Sequence, residues 1–440
     1  MEVITMNIYQ MIIDAAKDIT PEMVSVRRDF HKYAETGWLE MRTSSIIARK
    51  LKDLGYEVLI GAEVCDVDER MGVPSDEALR MAYERAVNQG ADAEFVKATE
   101  GGLTGVIGIL RCGEGPTVGM RFDIDALGVN ESTEEDHLPA RDGYASVNAG
   151  SMHACGHDGH AASGLGVAAV LMQIKEHLHG TIKLIFQPGE EGLRGAKSIV
   201  KKGHLDDVDY LLGSHTTSMT DDADDVTPGS YGSLASYKYD VVFRGLSAHA
   251  GGHPHLGKNA LLAAATAVTN LYAIPRHGSG ASRINVGRLI AGSGRNVIAD
   301  EAFMEIEVRG DTTEINEYVS DYAKRVLENS AAMHDCTVEI KLMGAAQSLN
   351  SDEDFCEHIA SVCRENLGMK VSKNLMIKLA GSEDFSYMMN CVQSRGGKGS
   401  FVRVRSHITD AAHRRKFDFD ETYMTKAVKV FCGMAYDLMK

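Results

Sequence analysis

Between residues 237 and 344 the apolar pattern runs strand, helix, strand, strand, helix, strand, and no other feature of the chain restricts its fold so tightly. "SYKYDVVFRG" reads as a strand, "GKNALLAAATAVTNLYAI" has helical spacing, and "SRINVGRLIAG" and "AFMEIEVRG" are strands again. "EINEYVSDYAKRVLENSAAM" is a second helix, and "CTVEIKLMG" closes the set. This βαββαβ order predicts a ferredoxin-like domain inserted in a larger one. The predicted boundaries are 1–236 and 345–440 for the two parts of the outer domain and 237–344 for the insertion.

The flanking segments keep a different rhythm. "ITPEMVSVRRDFHKYAE" predicts a helix capped by Thr20, with Pro21 in its first turn. "SSIIARKLKDLGYEVLIG" reads as helix, glycine stop and strand, and residues 74–98 predict one or two more helices. "TGVIGILRCG" and "PTVGMRFDID" are strands, "GHAASGLGVAAVLMQIKEHLHG" is a helix, and "TIKLIFQPGEEG" and "VDYLLGSH" are strands running into loops. Such alternation predicts an α/β sheet. A length of 440 residues fits more than one core.

Composition excludes some functions. A net charge of −16 speaks against nucleic acid or an anionic membrane as partner, and the short "HRRK" at 413–416 does not reverse it. No apolar stretch reaches membrane-spanning length; "ALLAAATAV" (260–268) predicts a buried helix. Eight cysteines without a C-x-x-C or a regular framework predict buried thiols in a reducing cytoplasm, and "MEVITMNIYQMIIDAAKD" lacks a basic leader region. "DDADD" at 221–225 predicts a solvated loop.

The chemistry gathers in a few stretches, each just after a predicted strand or at a helix start, where sites form in open α/β sheets. "MHACGHDGH" (152–160) places Cys155 two residues before His157. In an extended segment such neighbours face the same way, and a thiolate with an imidazole suits zinc and some other transition metals. His153 and His160 are expected to orient neighbours or fill space. "QPGEEG" sets Glu190 beside Glu191; adjacent carboxylates repel, and a cation relieves the repulsion. In extended geometry one carboxylate binds metal while the other reaches a water. His215 in "LLGSHTTS" and His413 in "AAHRRKFDFDE" complete the set.

Taken singly, each of these has an ordinary structural reading. Together they offer one thiolate, three imidazoles and a carboxylate, with a second carboxylate spare. That inventory serves two divalent ions sharing a water, not a closed, cysteine-rich structural site. In the inserted domain, His249, Asn296 and Arg309 are candidates to meet substrate, since an arginine fork suits a carboxylate and Asn or neutral His a carbonyl or oxyanion. The alternative there is ordinary turn and strand chemistry. No G-x-S-x-G elbow, P-loop or H-E-x-x-H occurs.

"RRDFHKYAETGW", "MRFDIDAL", "MHACGHDGH", "FQPGEEG", "GLSAHAGGHPHLGKNALLAA", "GSGRNVIAD", "AGSEDFSYMM" and "KFDFDE" resemble, in order, the motifs of the aminoacylase/carboxypeptidase amidohydrolases, across nearly the whole chain. The resemblance implies a zinc-peptidase-like catalytic domain with a mixed sheet and an inserted dimerisation or lid domain. It implies two divalent ions, zinc or manganese, held by Cys155, His157, Glu191, His215 and His413, with Glu190 as general base. Asp123 and Asp125 would stand beside the metals, and His249, Asn296 and Arg309 would meet the substrate, His249 often from a partner subunit. Arg121 stands where more distant relatives carry a metal-binding histidine.

"EVCDVDERMGVP" with the helical insert after it, "ARDGYASVNAG" and "GASRINVGRLIAGSGRNV" resemble the branch that cleaves p-aminobenzoyl-glutamate, a folate breakdown product, to p-aminobenzoate and glutamate. That branch implies a homodimer or a hetero-oligomer with a related second subunit. Arg295, Arg288 and Lys258 are candidates for the substrate's side-chain carboxylate. The competing expectations are a broader N-acyl-amino-acid amidohydrolase and a catalytically silent metal-binding protein; an intact Glu190 speaks against the latter.

Overall fold

The apolar runs on either side of "MHACGHDGH" become neighbouring strands of one mixed sheet. The computed structural model describes residues 7–218 and 224–440; the first six residues and positions 221–223 of the expected acidic loop lie outside the described residues. In chain order the strands are β1 Glu57–Ile60, β2 Val106–Arg111, β3 Thr117–Asp123, β4 Thr181–Gln187, β5 Tyr210–Ser218, β6 Val226–Thr227, β7 Gly229–Tyr231, β8 Ala235–Arg244, β9 Ser282–Ala291, β10 Glu301–Gly310, β11 Thr337–Ala346, β12 Met376–Lys378 and β13 Lys398–Ser406. The chain divides into two units. One comprises Met1–Tyr231, Asn350–Lys378 and Asp384–Lys440, the other Gly232–Leu349 and Leu379–Glu383.

The larger unit holds a seven-stranded sheet in the order β1-β2-β4-β3-β5-β13-β6. Its middle strands β4, β3, β5 and β13 are parallel, and β1, β2 and β6 pair antiparallel at the two sides. Parallel strands covered by helices are buried on both faces, which is why "TIKLIFQ" and "TVGMRFD" read as near-continuous apolar runs. The helix His157–Gln173 packs into this core and is buried along nearly its whole length. Its glycines have a packing reason. A Cβ on Gly164 would stand 2.6 Å from the Phe186 ring, and one on Gly166 would stand 2.3 Å from Met23 Sδ. Small residues let the helix carrying His157 press between the sheet and the helix Thr20–Lys32.

Two local expectations meet different outcomes. Thr20 is the first helical residue and not a cap; its hydroxyl donates to the Ala16 carbonyl at 2.9 Å, because only Ile19 separates it from the helix Ile8–Asp18. Gly55, with φ of 93°, ends the helix Met41–Leu54 as expected.

The smaller unit runs β8, helix Ala260–Tyr272, β9, β10, helix Thr313–Met333, β11, and its sheet is ordered β11-β8-β10-β9 with antiparallel pairing throughout. Its core gathers Val241, Phe243, Ala263, Ala267, Met304, Val308 and Leu327. "ALLAAATAV" is only half buried: Ala260, Ala263, Ala264 and Ala267 face the core, whereas Leu261, Leu262 and Ala265 are exposed. No helix among the described residues is long and apolar enough to cross a membrane.

Candidate metal centre and active site

Because β3, β4 and β5 are parallel, their carboxyl ends lie along one edge of the sheet, and each delivers polar side chains there: Asp123 and Asp125, Glu190 and Glu191, and His215. The "MHACGHDGH" stretch supplies Cys155 and His157 to the same edge. The backbone between these two is not extended. Gly156 takes a left-handed φ of 94°, and His157 opens its helix. A Cβ on Gly156 would press within 2.9 Å of Thr216 Cγ2, so position 156 requires glycine for both conformation and space. Glu190 and Glu191 are likewise not extended; they sit in a single 3-10 turn, Glu190–Gly192.

Cys155, His157 and His215 offer ligand atoms within 4.8 Å of one another, and so do Cys155, Glu191 and His413. The structure thus brings together all five residues expected as ligands, in two triads that share Cys155. Cys155 Sγ lies 3.4 Å from His215 Nε2, and His413 Nε2 lies 3.4 Å from Glu191 Oε2. His157 Nε2 stands 3.8 Å from Glu191 Oε1 and 3.9 Å from Glu190 Oε2.

The imidazoles of His157, buried, and His215, partly buried, are oriented alike. His157 Nδ1 donates to the Asp125 carbonyl at 3.0 Å, and His215 Nδ1 to the Thr216 carbonyl at 2.7 Å. Each Nε2 is left as a lone pair facing the cluster, the arrangement in which histidine binds metal. Two of the facing atoms have no hydrogen-bond partner although they are buried: His157 Nε2 and Glu191 Oε1. An orphaned buried lone pair is rare and unfavourable. A cation between the two atoms would satisfy both, so this donor set fits divalent metal.

Electrostatics agree. Burial pushes Glu191 up to about 7, and burial together with Glu191 raises the Cys155 thiol. Burial opposes charge on His157, but Asp123 and its other neighbours outweigh it and raise that pKa. Negative charge is under-compensated here, which a bound cation corrects.

Asp125 spends both oxygens on the turn, accepting from Glu190 N and Glu191 N, each at 3.0 Å. Asp123 binds His160 Nδ1 at 2.5 Å and Arg121 at 2.6 Å, and the other nitrogen of His160 accepts from Thr216 N at 3.1 Å. His160 is therefore engaged on both sides. His153 is buried with neither ring nitrogen bonded, and nothing in the structure explains it.

In the smaller unit, His249 Nδ1 accepts from Gly251 N and Gly252 N at 3.1 and 2.9 Å, which leaves Nε2 to carry the proton. The backbone carbonyl of Asn296 accepts from Ala250 N at 3.0 Å, so His249 and Asn296 lie on adjoining segments. Arg309 is bonded to Glu307, two residues back on β10, and Arg288 to Glu305 across the β9–β10 pair.

Sequence reasoning gave no role to Glu40 or Asp384. Glu40 accepts from Gly189 N at 2.9 Å, and Asp384 accepts from Gly195 N and Ala196 N at 3.1 and 3.0 Å, so both hold the segment that carries Glu190. The only signal for Asp384 is the motif "AGSEDFSYMM", which shows no partner until the chain is folded.

Comparison with known proteins gives consistent results. Residues 119–437 match the model of peptidase family M20/M25/M40. Indole-3-acetyl-aspartic acid hydrolase of Enterobacter agglomerans is 45% identical, over 94% of this chain and 95% of its own. One of the subunits of p-aminobenzoyl-glutamate hydrolase of Escherichia coli is 44% identical, over 95% and 96%. Among solved structures, an aminobenzoyl-glutamate utilization protein from Klebsiella pneumoniae superposes with a TM-score of 0.83 at 38% identity, covering 96% of this chain and 97% of that one. The YXEP protein of Bacillus subtilis, described as a dinuclear metal-binding peptidase of the M20 family, gives 0.64 at 26%, covering 96% and 99%.

Proposed function

The chain belongs to peptidase family M20/M25/M40, and from that premise we propose that it cleaves the amide joining an aromatic acyl group to glutamate, p-aminobenzoyl-glutamate foremost, using two divalent ions held by Cys155, His157, Glu191, His215 and His413. The observation that carries this reading is the facing pair of buried, unpartnered atoms, His157 Nε2 and Glu191 Oε1, with Glu190 in the same turn. Two relatives whose names specify an acidic amino acid conjugate support the substrate class. When bound, zinc or manganese would supply Lewis acidity at the carbonyl and ease removal of a proton from water.

The remaining steps belong to side chains. Glu190 takes the proton from the attacking water and returns it to the leaving nitrogen. Asp125 holds the amides of Glu190 and Glu191 and, through its backbone carbonyl, the tautomer of His157. We assign His249, through the proton on Nε2, and Asn296 to the substrate's carbonyl and Arg309 to its carboxylate, with His249 contributed by a partner subunit. In this reading residues 237–344 are a ferredoxin-like dimerisation and lid domain, and 1–236 with 345–440 form the catalytic domain. The enzyme works in the cytoplasm as a homodimer or with a related second chain; the Escherichia coli relative, named as one component of its hydrolase, supports the latter.

The test is hydrolysis by metal-reconstituted protein of p-aminobenzoyl-glutamate, indole-3-acetyl-aspartate and p-aminobenzoyl-leucine. The acidic conjugates should exceed leucine by at least about thirtyfold in kcat/KM, the lower bound for a buried charge pair. Equal rates would favour the broader N-acyl-amino-acid amidohydrolase. No turnover with metal bound would leave a metal-binding protein.

A further inference from the structure

The turn that carries Glu190 is built from unfavourable backbone. Gly189 and Leu193, which flank it, both have left-handed φ, 63° and 60°, and Leu193 is buried and has a Cβ to accommodate. Such conformations persist only where surrounding structure over-determines them. One restraint comes from Asp125 and Glu40, as above. A second comes from residues 63–73, which lead into the helix Asp76–Asn88 and take no part in the metal cluster.

This segment is stitched along the length of the Glu190 segment. The Gly72 carbonyl accepts from Arg194 at 3.1 Å, and Glu69 pairs with Lys197 at 2.7 Å. Asp66 exchanges two hydrogen bonds with Ser198, at 2.9 and 3.2 Å, and the Glu63 carbonyl binds His204 at 2.7 Å. The Met71 carbonyl accepts from Trp38 Nε1 at 2.7 Å, and Trp38 lies under Gly189, 3.7 Å from where a Cβ would stand. Arg194 is the link closest to the chemistry. Its side chain lies across Gly192 so tightly that a Cβ there would fall 1.8 Å from Arg194 Nε. The guanidinium thus clamps the end of the turn against the Gly72 carbonyl.

We propose that residues 63–73 brace the Glu190 turn, and that Arg194 is the positioning residue through which the brace sets the general base. Among the described residues no hydrogen bond or ion pair joins Arg194 to the five proposed ligand residues, and in this assignment it does not meet the substrate; it acts by holding Glu190 where its proton transfer requires. The inference rests on the functional reading above, so its test carries a readout that needs no turnover.

Arg194→Met keeps the length and loses the donor, whereas Arg194→Lys keeps one donor for Gly72. In Arg194→Met, amide exchange of residues 189–195 should rise about tenfold while the core helix His157–Gln173 keeps its protection. Bound metal should stay within about twofold of wild type, and kcat should fall about a hundredfold with little change in KM. Arg194→Lys should recover part of kcat, and Glu69→Gln, further along the brace, should cost less. Unchanged exchange in 189–195 overturns the brace even if the wild type proves inactive. Loss of metal together with kcat overturns the role in positioning the base, as does a folded Arg194→Met with wild-type kcat.

Discussion

His157 and Asp158 are neighbours, both wholly buried, yet they belong to opposite kinds of polar cluster. Asp158 is saturated: it takes Arg27 Nε at 2.9 Å and His31 Nδ1 at 2.8 Å on one oxygen and Gly159 N at 2.9 Å on the other. Arg27 goes on to Asp418 and Glu421, and His31 to Glu131 at 2.8 Å. One residue earlier, His157 keeps Nε2 without a partner opposite an equally orphaned Glu191 oxygen. A buried charge must be paired or coordinate metal. The Arg27 network meets that requirement with protein atoms, and the His157 cluster is built to meet it with something added. The first is therefore read as structure and the second as a site.

The comparison breaks most readily at Glu190 and Glu191, which should fail differently. Glu190→Gln should retain bound metal and lose turnover by roughly 10²–10⁴-fold, as expected of a general base. Glu191→Ala should lose metal as well. Metal analysis beside kcat checks both, and near-normal turnover in purified Glu190→Gln would remove its assigned role.

On the paired side the expected loss is stability. Arg27→Met strands Asp158 and Asp418 in the core, and breaking a buried pair from one side costs about 3–5 kcal/mol. Trp38 is the only tryptophan and lies in the larger unit, so its fluorescence during guanidinium unfolding reports on that unit. An unfolding midpoint like wild type would show that the network is not needed for stability.

How much of this contrast is legible in the sequence depends on the distance over which partners meet. The strand and helix order follows from local periodicity, and the βαββαβ run is found in the smaller unit as read. The proposed ligand set rests on "MHACGHDGH" and "QPGEEG", which are dense in donors and resemble family motifs, and the fold places those donors within reach of one another. What separates His157 from Asp158 is not local. Arg27 meets Asp418 across 391 positions, and Arg121 meets Asp384 across 263. Nothing at either position announces its partner. The extended geometry expected at Cys155–His157 and at Glu190–Glu191 failed for a related reason: left-handed Gly156 and Gly189 bend the chain there, and the pressure on Gly156 comes from Thr216, sixty positions away.

pH sharpens the comparison further. Burial opposes charge on His31, but hydrogen bonds to Asp158 and Glu131 outweigh it and raise its pKa to about 9. The folded value exceeds the ordinary value near 6.5, so the stabilisation is fully present below about pH 6.5 and is lost as pH rises through about 9. On the order of 3 kcal/mol should disappear on that side. His31→Asn should flatten the alkaline limb of stability against pH. A limb unchanged by that substitution would assign the loss to another group.

The smallest effect should come from removing one oxygen from the saturated network. Tyr144 donates to Asp418 at a long 3.4 Å, and Arg27 already binds that carboxylate. The ring does more: it stands 4.7 Å from the Arg28 guanidinium and 5.4 Å from that of Arg27, and it meets His31 edge-on at 5.5 Å. Tyr144→Phe keeps all three ring contacts and should cost under about 1 kcal/mol. Tyr144→Leu loses the cation–π contacts and should cost about 1–2 kcal/mol more. Both variants should keep wild-type metal content, because Tyr144 is bonded to Asp418 and packed on Arg27, Arg28 and His31, not on the five proposed ligand residues. The contrast with Glu190→Gln is then drawn between single-atom changes of similar size: one removes an oxygen from a cluster that has partners to spare, the other changes an oxygen in a cluster that has too few. If Tyr144→Phe lowered metal occupancy or kcat as Glu190→Gln lowers turnover, the two clusters would be one functional unit, and the division drawn at the His157–Asp158 peptide would fall.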